Sequence, residues 1–412
     1  MTCHDRGMGA HRVIPSRPLV LTLVFVAMAV GFGQFGAISA LADVAKAFGT
    51  PTSQASFSAR VGLSGSTLSI GIGALRAASL LALPLSALGD RLGRRRVLYA
   101  CGVAGLCVTA IASLSPNYWW FIALFALARP ALTTASTLAS VMTAELTTSR
   151  LRATAFAVLS AGAAVGAGLS VIMHGLVRGP NGFRILFAAA LVPAGVVALL
   201  VRRLPETQGR GPSEHTVTLG SIPRELWGRL AIVMAVFAAV SAISGPANSF
   251  AFVYGETILK LSPGFTSTVV VFSGVTGVAG LVVGRRIADR GGRRIAVAVG
   301  SLAIAATSLY AYSGGRTAFV IGYVVGVFAA AIWAPGMAAL TTESFPHTVR
   351  ASAGGWIVVA GVLGALAGLA VFGPVADTTG SLGWAAAAAF LPALPVLVLL
   401  RRLPETRGIV LT

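Results

Sequence analysis

A chain of 412 residues that is 56% hydrophobic and only 10% charged, with a mean hydropathy of +0.85, carries more apolar side chain than soluble cores of that length absorb. It reads as an integral membrane protein, which sets aside the two or three soluble domains its length would otherwise suggest. A net charge of +19 would in a soluble protein point to nucleic acid, so the placement of the basic residues has to decide.

In chain order, residues 1–17 carry Arg6, Arg12 and Arg17 and read as a cytoplasmic N-terminal tail. They could pass for the head of a signal peptide, but the apolar run that follows is about twice too long for one and is read as a retained first span. Crossing the hydrocarbon core takes about 20 apolar residues. Six such runs occupy 18–42, 63–87, 97–115, 119–142, 153–177 and 183–201. Six more occupy 229–252, 264–284, 295–313, 317–340, 351–374 and 382–400. Between them, 202–228 is polar and holds Gly209, Gly211 and Pro212, as a cytoplasmic linker would, and 401–412 is a cytoplasmic C-terminal tail. The expected fold is all-α, with twelve transmembrane helices in two six-helix bundles, 18–201 and 229–400.

The two halves are copies of one unit. Leu88–Leu98 reads Leu-Gly-Asp-Arg-Leu-Gly-Arg-Arg-Arg-Val-Leu, and Ile287–Val297 reads Ile-Ala-Asp-Arg-Gly-Gly-Arg-Arg-Ile-Ala-Val, so Asp90 and Asp289 stand 289 − 90 = 199 positions apart. Leu-Pro-Glu-Thr at Leu204–Thr207 returns at Leu403–Thr406 with the same offset, as does Pro193 at Pro392. Gly162 with Gly166, and Gly364 with Gly368, have the spacing of helix-packing seams.

Orientation follows from the short loops. With the N-terminus inside, 23 of the 31 Lys and Arg fall on the cytoplasmic side, six lie outside (Lys46, Arg60, Arg178, Arg184, Lys260, Arg316) and two lie within spans. The charge is therefore topogenic. It is scattered over several loops without the interleaved aromatics of a nucleic-acid platform, so no nucleic-acid partner is expected. The expected location is the cytoplasmic membrane, with both termini inside.

Arginine alone would hold these loops inside, but it leaves the aspartates unexplained. Asp90 and Asp289 can lie near the positive end of a helix and near Arg91, Arg94 and Arg95, where their ionic contacts can break and re-form. The pattern Leu-Gly-Asp-Arg-x-Gly-Arg-Arg between spans two and three, half-repeated between spans eight and nine, resembles the major facilitator superfamily. The leading glycine of that family's pattern is Ser86 in the first copy and Arg285 in the second.

Two acid–base pairs seven residues apart extend the match, Glu145 with Arg152 and Glu343 with Arg350. With Glu206 and Glu405 in the Pro-Glu-Thr repeats, they resemble the signatures of the sugar porter and metabolite symporter branch. That resemblance implies a cytoplasmic gate in which Asp90 and Asp289 make contacts across the two halves that stabilise the outward-facing state, and Glu145, Glu206, Glu343 and Glu405 bridge to Arg94, Arg95, Arg152, Arg293, Arg294 and Arg350. The plainer reading of the same residues is a set of surface ion pairs.

Only two charges fall deep in spans, Arg76 and Arg129, and no Asp or Glu lies mid-span to meet them. They either bond backbone carbonyls or neighbours such as Thr133, Thr134 or Gln34, or they leave positive charge in a cavity that an anionic solute would satisfy. The resemblance implies a cavity lined by spans one, four, seven and ten, which adds Gln34, Asn248 and Trp333 as substrate-binding candidates. Asp43, His174 and Glu256 lie near the outer ends of spans and read as interface residues ahead of proton carriers.

The expectation is a secondary active transporter moving a small organic solute by alternating access, proton-coupled as a symporter and monomeric. The rivals are an efflux antiporter for drugs or metabolites and a non-transporting receptor or sensor of the same fold. No nucleophile elbow, metal-spaced cluster or phosphate loop supports an enzyme, and no cofactor or metal is expected.

Overall fold

The computed structural model describes residues 17–50, 56–147, 151–177, 181–206, 222–346 and 349–405, and all the regular structure in them is helical. Only internally bonded backbone is stable in lipid, so apolar runs of this length become helices. Eleven are long and apolar enough to cross a membrane. In the first half they are α1 (Pro18–Ser39), α2 (Gly65–Leu92), α3 (Arg94–Leu114), α4 (Tyr118–Leu146), α5 (Thr154–Leu176) and α6 (Gly182–Val201). The second half has α7 (Arg224–Ser249), α8 (Pro263–Gly291), α9 (Arg293–Ala311), α10 (Arg316–Glu343) and α11 (Ser352–Thr379).

The twelfth run begins as α12 (Leu382–Phe390) and continues as 3-10 turns over Leu391–Ala393 and Pro395–Arg402. The continuous helix expected over 382–400 is broken because Pro392 and Pro395 each remove a backbone donor.

Helices α1–α6 and α7–α12 form two six-helix bundles of matching design. In the first, α1 packs on α5 and α3 on α4; in the second, α7 packs on α11 and α9 on α10. The paired glycines are the reason for the first contact of each set. A methyl group on Gly162 would come within 2.8 Å of the Val24 carbonyl oxygen of α1, and one on Gly166 would overlap that of Met28. Gly364 and Gly368 meet the Ala238 and Ala242 carbonyls of α7 in the same way. Between helices already solvated by lipid, such close backbone approach is a main source of attraction.

The bundles join along α2 with α11 and α5 with α8. Gly65 lies against Gly373 across the first seam, and Gly175 lies against Gly264 and Ser267 across the second. All of these residues are at one end of the molecule, called here the far end. The arginine-rich turns lie at the other, the basic end.

The basic turns are tighter than the sequence suggests. The second span, expected to stop at 87, runs through Leu92, and α3 starts at Arg94. The connection is one residue, Gly93, with φ 98°, and its counterpart Gly292 has φ 110°. Both conformations are costly for a residue with a Cβ, and at each glycine that Cβ would also strike a glutamate, Glu206 at 2.8 Å or Glu405 at 2.6 Å.

Candidate functional site

At the basic end each bundle builds the same cluster. Because α2 continues past 87, Asp90 sits in its last turn and not ahead of a helix. Arg94, four residues on, donates to Asp90 at 2.9 Å and also pairs with Glu145 at the end of α4. In the second bundle Arg293 reaches Asp289 at 2.8 Å and Glu343 at 3.2 Å. Arg285, standing where the family pattern has glycine, adds a contact to Asp289 at 3.6 Å.

The positive helix ends expected for the aspartates are taken by other acids. Glu206 accepts the Arg95 backbone N–H of α3 at 3.0 Å, and Glu405 accepts the Arg293 backbone N–H of α9 at 2.8 Å and that of Arg294 at 3.3 Å. A carboxylate there satisfies otherwise orphaned donors and meets the favourable end of the helix dipole. Reach decides the exchange: Asp90 and Asp289 belong to the preceding helix's C-terminal turn, whereas the Pro-Glu segments arrive from outside it.

These ion pairs each close within one bundle. Arg95 also donates to the Leu204 carbonyl at 3.0 Å, and Arg350 donates to the Phe345 carbonyl at 3.3 Å. Arg91 is exposed. The Arg152 side chain lies outside the described residues.

At mid-membrane, Arg129 donates to the Gln34 carbonyl of α1 at 3.0 Å, and the Gln34 amide donates to Thr133 at 3.4 Å. Arg76 crosses between bundles, donating from one guanidinium nitrogen to the Gly245 carbonyl and the Ser249 hydroxyl of α7, each at 3.3 Å. Its Nε is buried without a hydrogen-bond partner. No carboxylate of the described residues forms an ion pair with either arginine.

Gln34, Arg76, Arg129 and Ser249 line one cavity of about 30 Å³, room for roughly two waters. The carbonyl-bonding alternative for the arginines is thus what this conformation contains, with several of their N–H donors left over. The other two candidates stand apart. Asn248 donates to the Ser244 carbonyl at 2.9 Å and lines a separate cavity of about 240 Å³ in the second bundle, with Ser308, Tyr312 and Tyr323. Trp333 packs on Phe237 with ring centroids 5.3 Å apart, and its Nε1 is buried without a partner.

At the far end, charge crosses between bundles. Asp377 of α11 accepts the Gly65 N–H at 2.6 Å, the Ser66 N–H at 2.9 Å and the Ser66 hydroxyl at 2.6 Å, capping α2 of the opposite bundle. Arg60 donates to the Gly380 carbonyl. His174 of α5 stands between Asp43, on the short helix Leu41–Phe48, and Glu256, in the π-helical turn Tyr254–Ile258. Burial raises the carboxyl pKa of both acids, against an opposing pull from His174.

Sequence reasoning considers Asp43, His174 and Glu256 one at a time, and Asp377 not at all. That the first three lie at one end of their spans was legible. Their meeting depends on how α5 docks beside the extension of α7, which no local pattern encodes.

The family model for the Major Facilitator Superfamily matches residues 23–369. Solved structures with the same architecture include the nucleoside transporter NupG in a point-mutant form, at 16% identity over 93% of this chain and 98% of that one, with a TM-score of 0.74. The xylose transporter XylE from E. coli in an inward open conformation is similar at 18% identity over 94% of this chain and 97% of that one, TM-score 0.72. A bacterial homolog of the human lysosomal transporter Spinster, inward-facing and occupied, matches at 14% identity over 94% and 96%, TM-score 0.67. At such identities these neighbours establish the fold alone, whereas the family model covers most of the sequence: the chain is a membrane transporter of the major facilitator superfamily.

Proposed function

We propose that this protein is a proton-coupled symporter for a small organic solute bearing an anionic group, working as a monomer in the cytoplasmic membrane with both termini inside. The observation that carries the solute class is the pairing of Arg76 and Arg129 on one cavity where the described residues supply no counter-ion. Two guanidiniums in a low-dielectric site are costly unless an anion compensates them, and their spare donors have the fork geometry that carboxylate and phosphate accept. Arg76 also touches α7 of the opposite bundle, and the cavity of about 30 Å³ admits only waters in this conformation, so a solute enters it only as the contact between the halves shifts and the cavity widens.

The basic end supports the orientation, since the loop pattern of the sequence assigns 23 of the 31 Lys and Arg to the cytoplasmic side. The duplicated Arg94–Glu145 and Arg293–Glu343 clusters and the Glu206 and Glu405 caps support placement in the sugar porter and metabolite symporter branch. With contacts between bundles gathered at the far end, the conformation reads as inward-facing. The bundles 18–201 and 229–400 then rock about the arginines, and the gate charges at the basic end re-pair across the two halves in the outward-facing state.

The test is uptake into proteoliposomes of benzoate, gluconate and glucuronate against neutral sugars and nucleosides, with and without an imposed pH gradient. Saturable anion uptake, accelerated by a proton gradient, is expected. Arg76→Ala and Arg129→Ala should each lower kcat/KM roughly 10- to 100-fold, the equivalent of losing a charge-assisted hydrogen bond of about 1.5–3 kcal/mol. Transport of a neutral solute alone, indifferent to both substitutions, would overturn the proposal.

A further inference from the structure

The far-end cluster has a composition that the solute site does not explain. His174 and Glu256 have side chains only 1% exposed, and Asp43 is 19% exposed. The imidazole Nε2 lies 2.9 Å from Glu256 Oε1 and Nδ1 lies 3.4 Å from Asp43 Oδ2. The two acids therefore flank the ring from opposite sides and cannot converge on a shared metal. The ring edge rests on Phe252, at a centroid distance of 5.5 Å, and Glu256 Oε2 is buried without a hydrogen-bond partner.

A neutral imidazole has one N–H and can donate to one carboxylate only. With a carboxylate beside each ring nitrogen, a further proton on the ring makes the 2.9 Å contact to Glu256 a charge-assisted hydrogen bond and the 3.4 Å contact to Asp43 an ion pair, while a proton on an acid removes one negative charge. Without that proton the buried group holds two negative charges; with one it holds a single negative charge, and with two it is neutral. Burying uncompensated charge is costly, so the closed arrangement favours the protonated forms.

The neighbouring ionisable groups do not fully replace that proton. Lys46, on the Asp43 helix, is exposed, so its charge reaches the two acids through solvent and offsets them only in part. Arg60 is engaged by the Gly380 carbonyl, and Arg184 of α6 by the Ser113 and Ser115 carbonyls. Tyr254 is buried against Tyr312 and Phe319, and α8 presents the uncharged Ser267. The cluster also spans the joint: Asp43 and His174 belong to the first bundle and Glu256 to the second. Separating the bundles at this end withdraws Glu256 from the imidazole and hydrates the two acids, which relieves the burial that raises their pKa.

We propose that Asp43, His174 and Glu256 form a proton-binding site at the far-end seal, where uptake of a proton from that side closes the transporter. The proposal rests on the alternating-access reading and adds to it where the proton binds. The sign follows from linkage. The closed form binds more protons than the open one, so acid favours closure, and the closed-to-open ratio falls up to tenfold per pH unit for each linked proton as pH rises.

The experiment uses the full chain with Cys3, Cys101 and Cys107 changed to serine, spin-labelled at Pro116→Cys and Thr317→Cys. These are exposed far-end residues of opposite bundles. Distance distributions are recorded in lipid nanodiscs from pH 5 to pH 9, with and without glucuronate and benzoate. The short-distance population should dominate in acid and give way to a longer one as pH rises, several-fold to tenfold per unit. Glu256→Gln, which keeps a neutral hydrogen-bonding group opposite the ring, should stay closed at high pH, and His174→Gln should flatten the response.

An unchanged pH response in both variants overturns the site. A distribution that moves with an anion but not with pH overturns the site and leaves the transport reading standing. One that moves under no condition overturns both.

Discussion

The two ends of the molecule use carboxylates in opposite ways. At the basic end Asp90, Glu145, Glu206 and their copies bind partners in their own bundle, and Asp90 is 62% exposed. At the far end Asp377 and Glu256 reach into the other bundle, and Glu256 is sealed from solvent. Ion pairs in water contribute little, while a desolvated carboxylate aimed at a helix terminus or an imidazole contributes substantially and leaves a buried orphan when lost. The basic end thus closes its contacts within each half, and the far end carries the contacts that hold the halves together in this conformation. Motion between bundles should pivot on the mid-membrane contact of Arg76 with α7, with the far-end contacts breaking first.

Breaking the far end should have the larger effect. Asp377→Ala removes three hydrogen bonds from the start of α2 and should weaken closure by about 1–2 kcal/mol, a change of roughly 5- to 30-fold in the closed-to-open ratio. It is read from the same far-end label pair at fixed pH; a distribution identical to wild type would remove Asp377 from the seal. At the basic end Asp90→Asn should change thermal stability by less than about 1 kcal/mol, because Arg94 keeps Glu145 and the lost pair is largely hydrated. Its transport rate should nonetheless fall sharply at normal expression, since the gate role proposed for Asp90 is exercised in the opposite conformation. Wild-type flux in that variant would leave Asp90 a surface ion pair.

Much of this architecture was legible in the chain. Apolar length sets out the spans, and the 199-residue offset between Asp90 and Asp289 sets out the repeat. The paired glycines Gly162, Gly166, Gly364 and Gly368 mark the seams where helix backbones touch. The site was legible in part. Arg76 and Arg129 stand out because charge is rare in a span, and Gln34 joins them because α1 and α4 pack together.

What the chain did not show depends on tertiary distance. Residue type and span place Asn248 and Trp333 with the arginines, but only the packed structure shows that Asn248 lines a cavity separate from theirs and that Trp333 packs on Phe237. Glu206 and Glu405 displace the aspartates at the helix starts because one-residue turns bring the Pro-Glu segments alongside. Asp377 and the His174 cluster arise only when the two halves dock, and no local spacing carries that information.

For solute to pass by alternating access, the far end must open and close. Gly175 and Gly264 face each other across the α5–α8 seam, where a Cβ on Gly175 would lie 3.2 Å from the Gly264 Cα, within disulfide reach once the Ser267 hydroxyl, 2.9 Å from that Cβ, turns aside. The measurement is counterflow of the solute that wild type moves, in proteoliposomes carrying Gly175→Cys with Gly264→Cys in the cysteine-free background, before and after oxidation. Oxidation should stop exchange in the double variant, reduction should restore it, and neither treatment should affect the single variants. Undiminished counterflow through the oxidised, crosslinked protein would contradict that requirement.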